Sequence, residues 1–536
     1  MKLSAESIKN TAAWADVGAR LPQYDVTTVG ENTRSAPAWI HFGAGNIFRG
    51  FIAALSQSLL DQGLTDRGII AADTFDYDII DRIYAPYDNL TLLVSLLPDG
   101  STEKTVIASV AEGIKVDFAD PDAAARLREI FCSPSLQMVS FTITEKGYAL
   151  KGLQGEYFPY VTQDLEHGPA APTHAMSVIA ALLYARYQAG KYPISLVSMD
   201  NCSHNGEKLQ DSVLTVAQEW AERGLVEKDY LAWLTDERQV AFPWTMIDKI
   251  TPRPAEAITK MLTDAGIEDM APIVTSRSTF IAPFVNAEVP QYLVVEDKFP
   301  NGRPPLEKAG VYFTDRDTVN NVERMKVTTC LNPLHTALAV YGCLLGYTSI
   351  AAEMNDVQLH RLVERIGYDE GMPVVVDPGI LSPRAFIDEV VQCRLPNPFI
   401  PDAPQRIACD TSQKVGIRFG ETIKSYAAAG RANELTYIPL ALAGWCRYLL
   451  GLDDELQPME LNPDPMLPTL CPMLGDVVIG GDFDAHAVLS PILSNPVIFG
   501  SDLYKVGLGE KIEAMFRDLT AGAGAVRRTL VKYLGE

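Results

Sequence analysis

The stretch HFGAGNIFRGF, residues 41–51, follows the apolar, strand-like run AWIHF and opens a helical pattern. A strand that turns on glycine into a helix is the entry to a dinucleotide-binding βαβ unit. Gly43 permits the tight turn, and Gly45 lets a pyrophosphate approach the backbone at the helix N-terminus, where amides and the helix dipole favour anions. Asn46, Ile47 and Phe48 complete the loop as candidate cofactor-binding residues, with Phe48 standing where the usual fingerprint has its third glycine. Glycine turns after strands also occur for conformational reasons alone. The next strand-like run, GIIAAD, ends at Asp73, whose carboxylate can accept from a ribose diol and repel a 2′-phosphate, so NAD is expected over NADP. The bland alternative has Asp73 capping the following turn, with Asp76 taking the ribose role.

Outward from this loop, residues 36–150 alternate short apolar runs with helical periodicity, which indicates a parallel α/β sheet. VSLLPDGSTEKTVIASV reads as a hairpin-like pair within it, and YPISLVSMDNC supplies a further strand with polar residues at its carboxyl end. The Pro- and charge-rich segment EDKFPNGRPPLEKAG, residues 296–310, looks like a crossing between domains. Beyond it the periodicity is helical. The expected architecture is an α/β Rossmann-type N-terminal domain over residues 1–300 and a mainly α-helical substrate domain over 301–536, with the active site between them.

The chain has 536 residues and a formal charge of −23, from 45 Lys plus Arg against 68 Asp plus Glu. The excess is spread along the chain, which argues against nucleic acid or an anionic membrane as partner. An anionic substrate would need a local basic cluster working against that field. The N-terminus lacks an apolar leader and no window approaches the roughly 18–20 apolar residues of a membrane span, so a cytoplasmic location is expected. Eight scattered cysteines with no CxxC pair fit reduced thiols better than a zinc site or a disulfide framework, and no metal is expected.

A second polar group interrupts the apolar stretch NVERMKVTTCLNPLHTAL, residues 321–338, with Lys326, Asn332 and His335. Read conservatively, Asn332 is an N-cap with Pro333 at the first helical position, and a His near a helix start is a satisfied core residue. On an unbroken helix Lys326 and His335, nine residues apart, would point in roughly opposite directions at about 100° per residue. Either Lys326 precedes the helix or a bulge lies between them. A YxxxK at Tyr187–Lys191 contains Gly190 and runs into a strand, so it reads as a helix C-terminus instead of a catalytic pair.

Across the chain the sequence resembles the polyol-specific long-chain dehydrogenases, the mannitol dehydrogenase family. The resemblance is carried by GAGNIFRG (43–50), TITEKGY (142–148), SMDNCSHNG (198–206), FPWTMIDKITP (242–252), VVEDKF (294–299), ERMKVTTCLNPLHTALAVYG (323–342) and RIACDTSQK (406–414), in unbroken order. The resemblance implies Lys326 as general acid/base, Asn201 and Asn332 as an oxyanion-stabilising pair, and His335 as the residue orienting the substrate. It also implies Glu145 in proton passage and Arg406 and Lys414 in substrate contact. Related sequences usually place the Asn five residues after the Lys, whereas Asn332 is six after Lys326.

These roles form a coherent ketone reduction: NADH as hydride donor, amides polarising the carbonyl, and Lys326 supplying the proton. An unperturbed Lys titrates near 10.4, so service as a base in the oxidative direction requires a buried setting. The block at residues 327–347 is most similar to the fructuronate reductase branch, which implies interconversion of D-fructuronate and D-mannonate with hydride transfer at C5. Mannitol- or arabinitol-type polyol oxidation and tagaturonate reduction are the alternatives within the family, and a non-catalytic dinucleotide sensor is the alternative outside it. The expected partner is a small sugar acid or polyol, and the expected state a monomer or weak homo-oligomer.

Overall fold

The computed structural model describes residues 1–152 and 154–536. Two compact units divide the chain, Met1–Leu97 with Ser101–Asn320, and Pro98–Gly100 with Asn321–Glu536. The Pro-rich segment therefore lies inside the first unit, and the division falls at Asn320 instead of near residue 300. The reason is strand pairing: Tyr312–Thr314, beyond that segment, runs parallel to Tyr292–Glu296, while Leu306 within it is buried.

In the first unit six strands form one all-parallel sheet: β1 Trp39–Phe42, β2 Ile69–Asp73, β3 Val110–Lys115, β4 Met138–Phe141, β5 Ile194–Ser198 and β6 Val240–Ala241. Their order is 3-2-1-4-5-6, that of a dinucleotide-binding sheet. Every residue of β1 is buried, Ile40 and Phe42 in one apolar cluster and Trp39 in another, so both faces of the sheet are covered. Covered faces explain why these strands read as unbroken apolar runs. Strand order reverses between β1 and β4, and the carboxyl ends there are where such sheets bind ligands. A π turn, Phe48–Ile52, leads from the β1 loop into α1, Ala53–Asp61.

The hairpin read in the sequence forms, with Thr91–Leu96 antiparallel to Thr102–Ile107. It departs from expectation in joining a separate four-stranded sheet with Ala19–Arg20 and Phe284–Glu288. The parallel sheet takes the following segment, β3, at its edge. Helix α2, Ala175–Gly190, ends where Lys191 adopts φ 55° and its N–H returns to Tyr187 O, so YQAGK is a helix terminus.

The second unit begins within α3, Arg316–Met325, and continues through a π turn, Lys326–Cys330, into α4, Asn332–Leu344. Helix α4 is apolar on all sides and nearly all of it is buried, which makes it the central element of this unit. It packs against the helix Tyr437–Tyr448, where Tyr341 Oη donates to Leu440 O at 2.7 Å, and against α5, Pro404–Ile407, and α6, Thr411–Arg418. None of the eight cysteines forms a disulfide. Among the described residues no helix is long and apolar enough to cross a membrane.

One buried ionisable group of this core stands apart. Glu353 is fully buried, and neither carboxylate oxygen has a hydrogen-bond partner among the described residues. It lies against Gly342, where a Cβ would stand 1.9 Å from Glu353 Oε1. Burial, reinforced by Asp402 and Asp356, pushes its pKa up to about 9, so the group is a neutral acid at pH 7. The unfolded carboxyl titrates near 4.3. Because the folded value lies higher, the associated stability is full below the unfolded pKa and is lost as pH rises toward the folded one. The thermal midpoint of the native protein should fall as pH rises from about 5 to about 9, and Glu353→Gln, which cannot ionise, should flatten that slope in a calorimetric pH series.

Candidate active site

Gly43 adopts φ +105°, its N–H donates to Ala72 O at 2.8 Å, and a Cβ on it would sit 2.1 Å from Thr142 O. Only glycine fits where the ends of β1 and β4 approach so closely. Gly45 is different: a Cβ there would meet nothing within 4 Å, so the loop leaves open space above this backbone. His41 braces the turn from below, its Nδ1 lying 2.6 Å from Ser140 Oγ and its Nε2 2.8 Å from Thr142 Oγ1, which donates to Gly43 O at 3.2 Å. Burial drives the His41 imidazole down to about 3, so it stays neutral.

The candidate cofactor residues divide by what holds them. Phe48 is fully buried and stacks on His41 with ring centroids 4.3 Å apart, so its side chain supports the turn from the core. Ile47 is half-buried on the helical residue before the π turn. Asn46 Oδ1 accepts from Arg49 Nη2 at 2.9 Å, and the same guanidinium reaches Ala282 O at 2.8 Å. Asp73 Oδ2 accepts from Ala44 N at 3.0 Å, while Oδ1 accepts from Phe75 N and Asp76 N at 2.9 and 2.7 Å. Asp73 thus caps the next turn, as the conservative reading had it, and also clamps the glycine loop. Burial raises its pKa against the pull of these three bonds. Asp76 is buried too; Oδ2 accepts from Thr275 Oγ1 at 2.5 Å, and Oδ1 has no partner among the described residues.

At the carboxyl end of β5, Asp200 organises the TITEKGY loop. Its oxygens accept from Ile143 N at 3.0 Å, Thr144 N at 2.9 Å and Tyr148 Oη at 2.6 Å, fixing Thr144 at φ +64°. Burial raises the Asp200 carboxyl, with Tyr148 and the two amides opposing. Asn201 follows directly and is exposed; Glu145, in the short helix Thr144–Tyr148, pairs with Lys208 Nζ at 2.5 Å.

In the second unit Lys326 is 3% exposed and opens the π turn, whose i→i+5 bond runs from Leu331 N to Lys326 O at 3.1 Å. A bulge therefore does lie between Lys326 and His335. A π turn takes up about one residue more than an α turn, which lengthens the backbone path from Lys326 to Asn332. Asn332 is not the cap: Leu331, at φ −132°, holds that position, and Asn332 and Pro333 are the first two helical residues. The rule of Pro at the first position misplaces the start by one residue because the preceding chain is already helical.

His335 is directed by a carboxylate outside the sequence motif. Its Nε2 lies 2.9 Å from Asp402 Oδ2, an ion-pair distance whose alignment falls short of a ring N–H hydrogen bond. Arg406 Nε and Nη2 donate to Asp402 Oδ1 at 3.0 and 2.6 Å. Burial alone would raise Asp402, but His335 and Arg406 outweigh it and hold the carboxyl below its ordinary value. Lys414 Nζ donates to Cys409 O at 2.5 Å, and Arg418 Nη1, one turn on along α6, donates to Thr336 Oγ1 at 2.5 Å. Among the described residues no group of three His, Cys, Asp or Glu is arranged to hold a metal ion.

A family model described as the mannitol dehydrogenase Rossmann domain matches residues 37–308, and one described as the mannitol dehydrogenase C-terminal domain matches residues 318–515. The chain belongs to the mannitol dehydrogenase family. Within that family it is 54% identical to the D-mannonate oxidoreductase of Thermotoga maritima, over 100% of this chain and 99% of the relative. It is 30% identical to the mannitol 2-dehydrogenase of Cereibacter sphaeroides, covering 92% and 96%. The solved ternary complex of Pseudomonas fluorescens mannitol 2-dehydrogenase with NAD and D-mannitol superposes with a TM-score of 0.71 at 27% identity, covering 99% of both chains. The protein is an oxidoreductase of the mannitol dehydrogenase family.

Asp200, Asp402 and Arg418 escaped the sequence reading. Asp402 precedes Arg406 by four residues and Arg418 follows Lys414 by four, the spacing of helical neighbours, and that was the available signal. Two glycine substitutions separate support from cradle. Gly43→Ala should lower the thermal midpoint, because Thr142 backbone must move. Gly45→Ala should leave the midpoint unchanged yet weaken NADH binding by more than about tenfold, ~1.4 kcal/mol, in a fluorescence titration.

Proposed function

We propose that the protein is an NAD-dependent oxidoreductase that interconverts D-fructuronate and D-mannonate by hydride transfer at C5, with Lys326 as general acid/base. The observation that carries this reading is end-to-end identity of 54% with a D-mannonate oxidoreductase. The loop chemistry fits the cofactor. Gly45 offers the open backbone a pyrophosphate needs, and Gly43, Ala44 and Asp73 hold the turn that presents it. Asp73 and Asp76 together give this edge two carboxylates, a setting that suits a ribose diol and opposes a 2′-phosphate.

NADH, when bound, supplies the hydride. Lys326 holds the proton that the alkoxide takes up in reduction, and in oxidation it removes that proton from the substrate hydroxyl. Its burial provides the setting this role requires. The amides of Asn332 and Asn201 are assigned to hydrogen bonding with the carbonyl oxygen as charge develops there. His335, directed by Asp402, orients the substrate hydroxyls. Glu145, exposed and paired with Lys208, is assigned to proton passage toward solvent. Arg406 and Lys414 supply the positive charge that a uronate needs near the site of a protein with a net charge of −23.

NADH oxidation with D-fructuronate, D-tagaturonate and D-fructose at equal concentration tests the reading. The highest kcat/KM is expected with D-fructuronate; a preference for D-fructose overturns the uronate assignment in favour of a polyol dehydrogenase. Lys326→Ala should lower kcat by about 10²- to 10⁴-fold while NADH still binds. Retention of most of the turnover would displace Lys326 as the acid/base.

A further inference from the structure

Two cations in the second unit lack what buried cations ordinarily have. Lys414 and Arg418 stand one turn apart on α6, on the same face, and both are half-buried. Like charges at this spacing oppose helix formation. Neither has a carboxylate within ion-pair distance among the described residues; their hydrogen bonds go to neutral acceptors, Cys409 O and Thr336 Oγ1. Asp410 is the acidic group whose charge reaches Lys414, and it does not form an ion pair with it. Burial lowers the pKa of both, to about 10 for Arg418, and Arg418 and Arg406 lower Lys414 further. In a chain with 68 acidic residues, leaving two desolvated cations side by side without an anion is costly unless an anion arrives.

Arg406 differs. Its guanidinium is bound to Asp402 by two hydrogen bonds, and Asp402 pairs with His335, so the Arg406 charge is already matched. Its side chain is 67% exposed. Arg418, in contrast, is tied to Thr336, the residue after His335 on α4, and α6 packs against both α4 and the π turn that carries Lys326.

We propose that Lys414 and Arg418 form the seat for the substrate's carboxylate, while Arg406 is a positioning residue that acts on His335 through Asp402. The inference rests on the uronate activity proposed above and revises one of its assignments: beside Lys414, Arg418 takes the place of Arg406 as the source of charge for the carboxylate. Thr336 fixes one guanidinium N–H and leaves the rest of the fork for a carboxylate, to which Lys414 adds a point charge.

The test compares D-fructuronate with D-fructose, which replaces the carboxylate by a hydroxymethyl group on the same ketone skeleton. Arg418→Gln should reduce kcat/KM for D-fructuronate by roughly 30- to 100-fold, the effect of losing a charge-assisted hydrogen bond, and leave that for D-fructose within about threefold. Arg418→Lys should recover part of the loss. Arg406→Gln should lower both substrates alike, as disturbance of His335 predicts. Should Arg418→Gln melt early, Lys414→Gln carries the same substrate ratio as its readout. Equal losses on both substrates, or an intact uronate preference in these variants, overturn the seat while the proposed activity stands. A native enzyme that favours D-fructose overturns the activity itself.

Discussion

The π turn at Lys326–Cys330 is the constraint around which the second unit is built. A backbone that has just formed three turns of α-helix widens there, closes on the bond from Leu331 N to Lys326 O, and restarts as α4 at Asn332. An α-helix across this stretch would aim Lys326 and His335 to opposite sides. Because α4 is apolar on every side and buried, the helix cannot rotate to compensate, and the wider turn is how a buried Lys and a His on the central helix coexist in one short segment. The irregularity takes up its extra residue before α4 begins at Asn332.

Carboxylates do much of the positioning in this acidic protein, and they do so by holding the backbone and side chains of the candidate site residues in each unit. Asp73 ties the end of β2 to the glycine loop, Asp200 ties the end of β5 to the TITEKGY loop, and Asp402 joins His335 to Arg406. Each is buried, and each is held by several partners; burial nevertheless leaves Asp73 and Asp200 raised, while His335 and Arg406 bring Asp402 below its ordinary value. The difference lies in the partners: amide donors soften desolvation, whereas the Arg406 guanidinium together with His335 outweighs it. Lys414 and Arg418 stand outside this economy of matched charges, which is what singles them out.

Much of the first unit was legible from local pattern. Apolar runs of strand length that end in glycine or aspartate, separated by helical periodicity, can only be buried on both faces, and that implies a parallel sheet. The loop at Gly43–Phe48 and the helix end at Gly190–Lys191 followed from the conformational freedom of glycine. The hairpin at Thr91–Ile107 was recognisable as a hairpin, but which sheet it joined was not, since partner choice depends on segments nearly two hundred residues away, such as Phe284–Glu288. The extent of the first unit was misread for the same reason: Tyr312–Thr314 is drawn into it by pairing with Tyr292–Glu296.

By itself the sequence determined the fold class, the glycine loop, the family, and the residue types that a ketone reduction needs. These depend on composition, on period, and on motifs whose members are close in the chain. Only the tertiary structure decided that Leu331 and not Asn332 occupies the cap, that the helix widens at Lys326, that Asp402 directs His335, and that Arg418 stands beside Lys414 without an acidic partner. Those outcomes turn on desolvation and on contacts between residues more than sixty positions apart, as between His335 and Asp402 or Thr336 and Arg418, and no local pattern in a chain encodes which distant charge will be left unmatched.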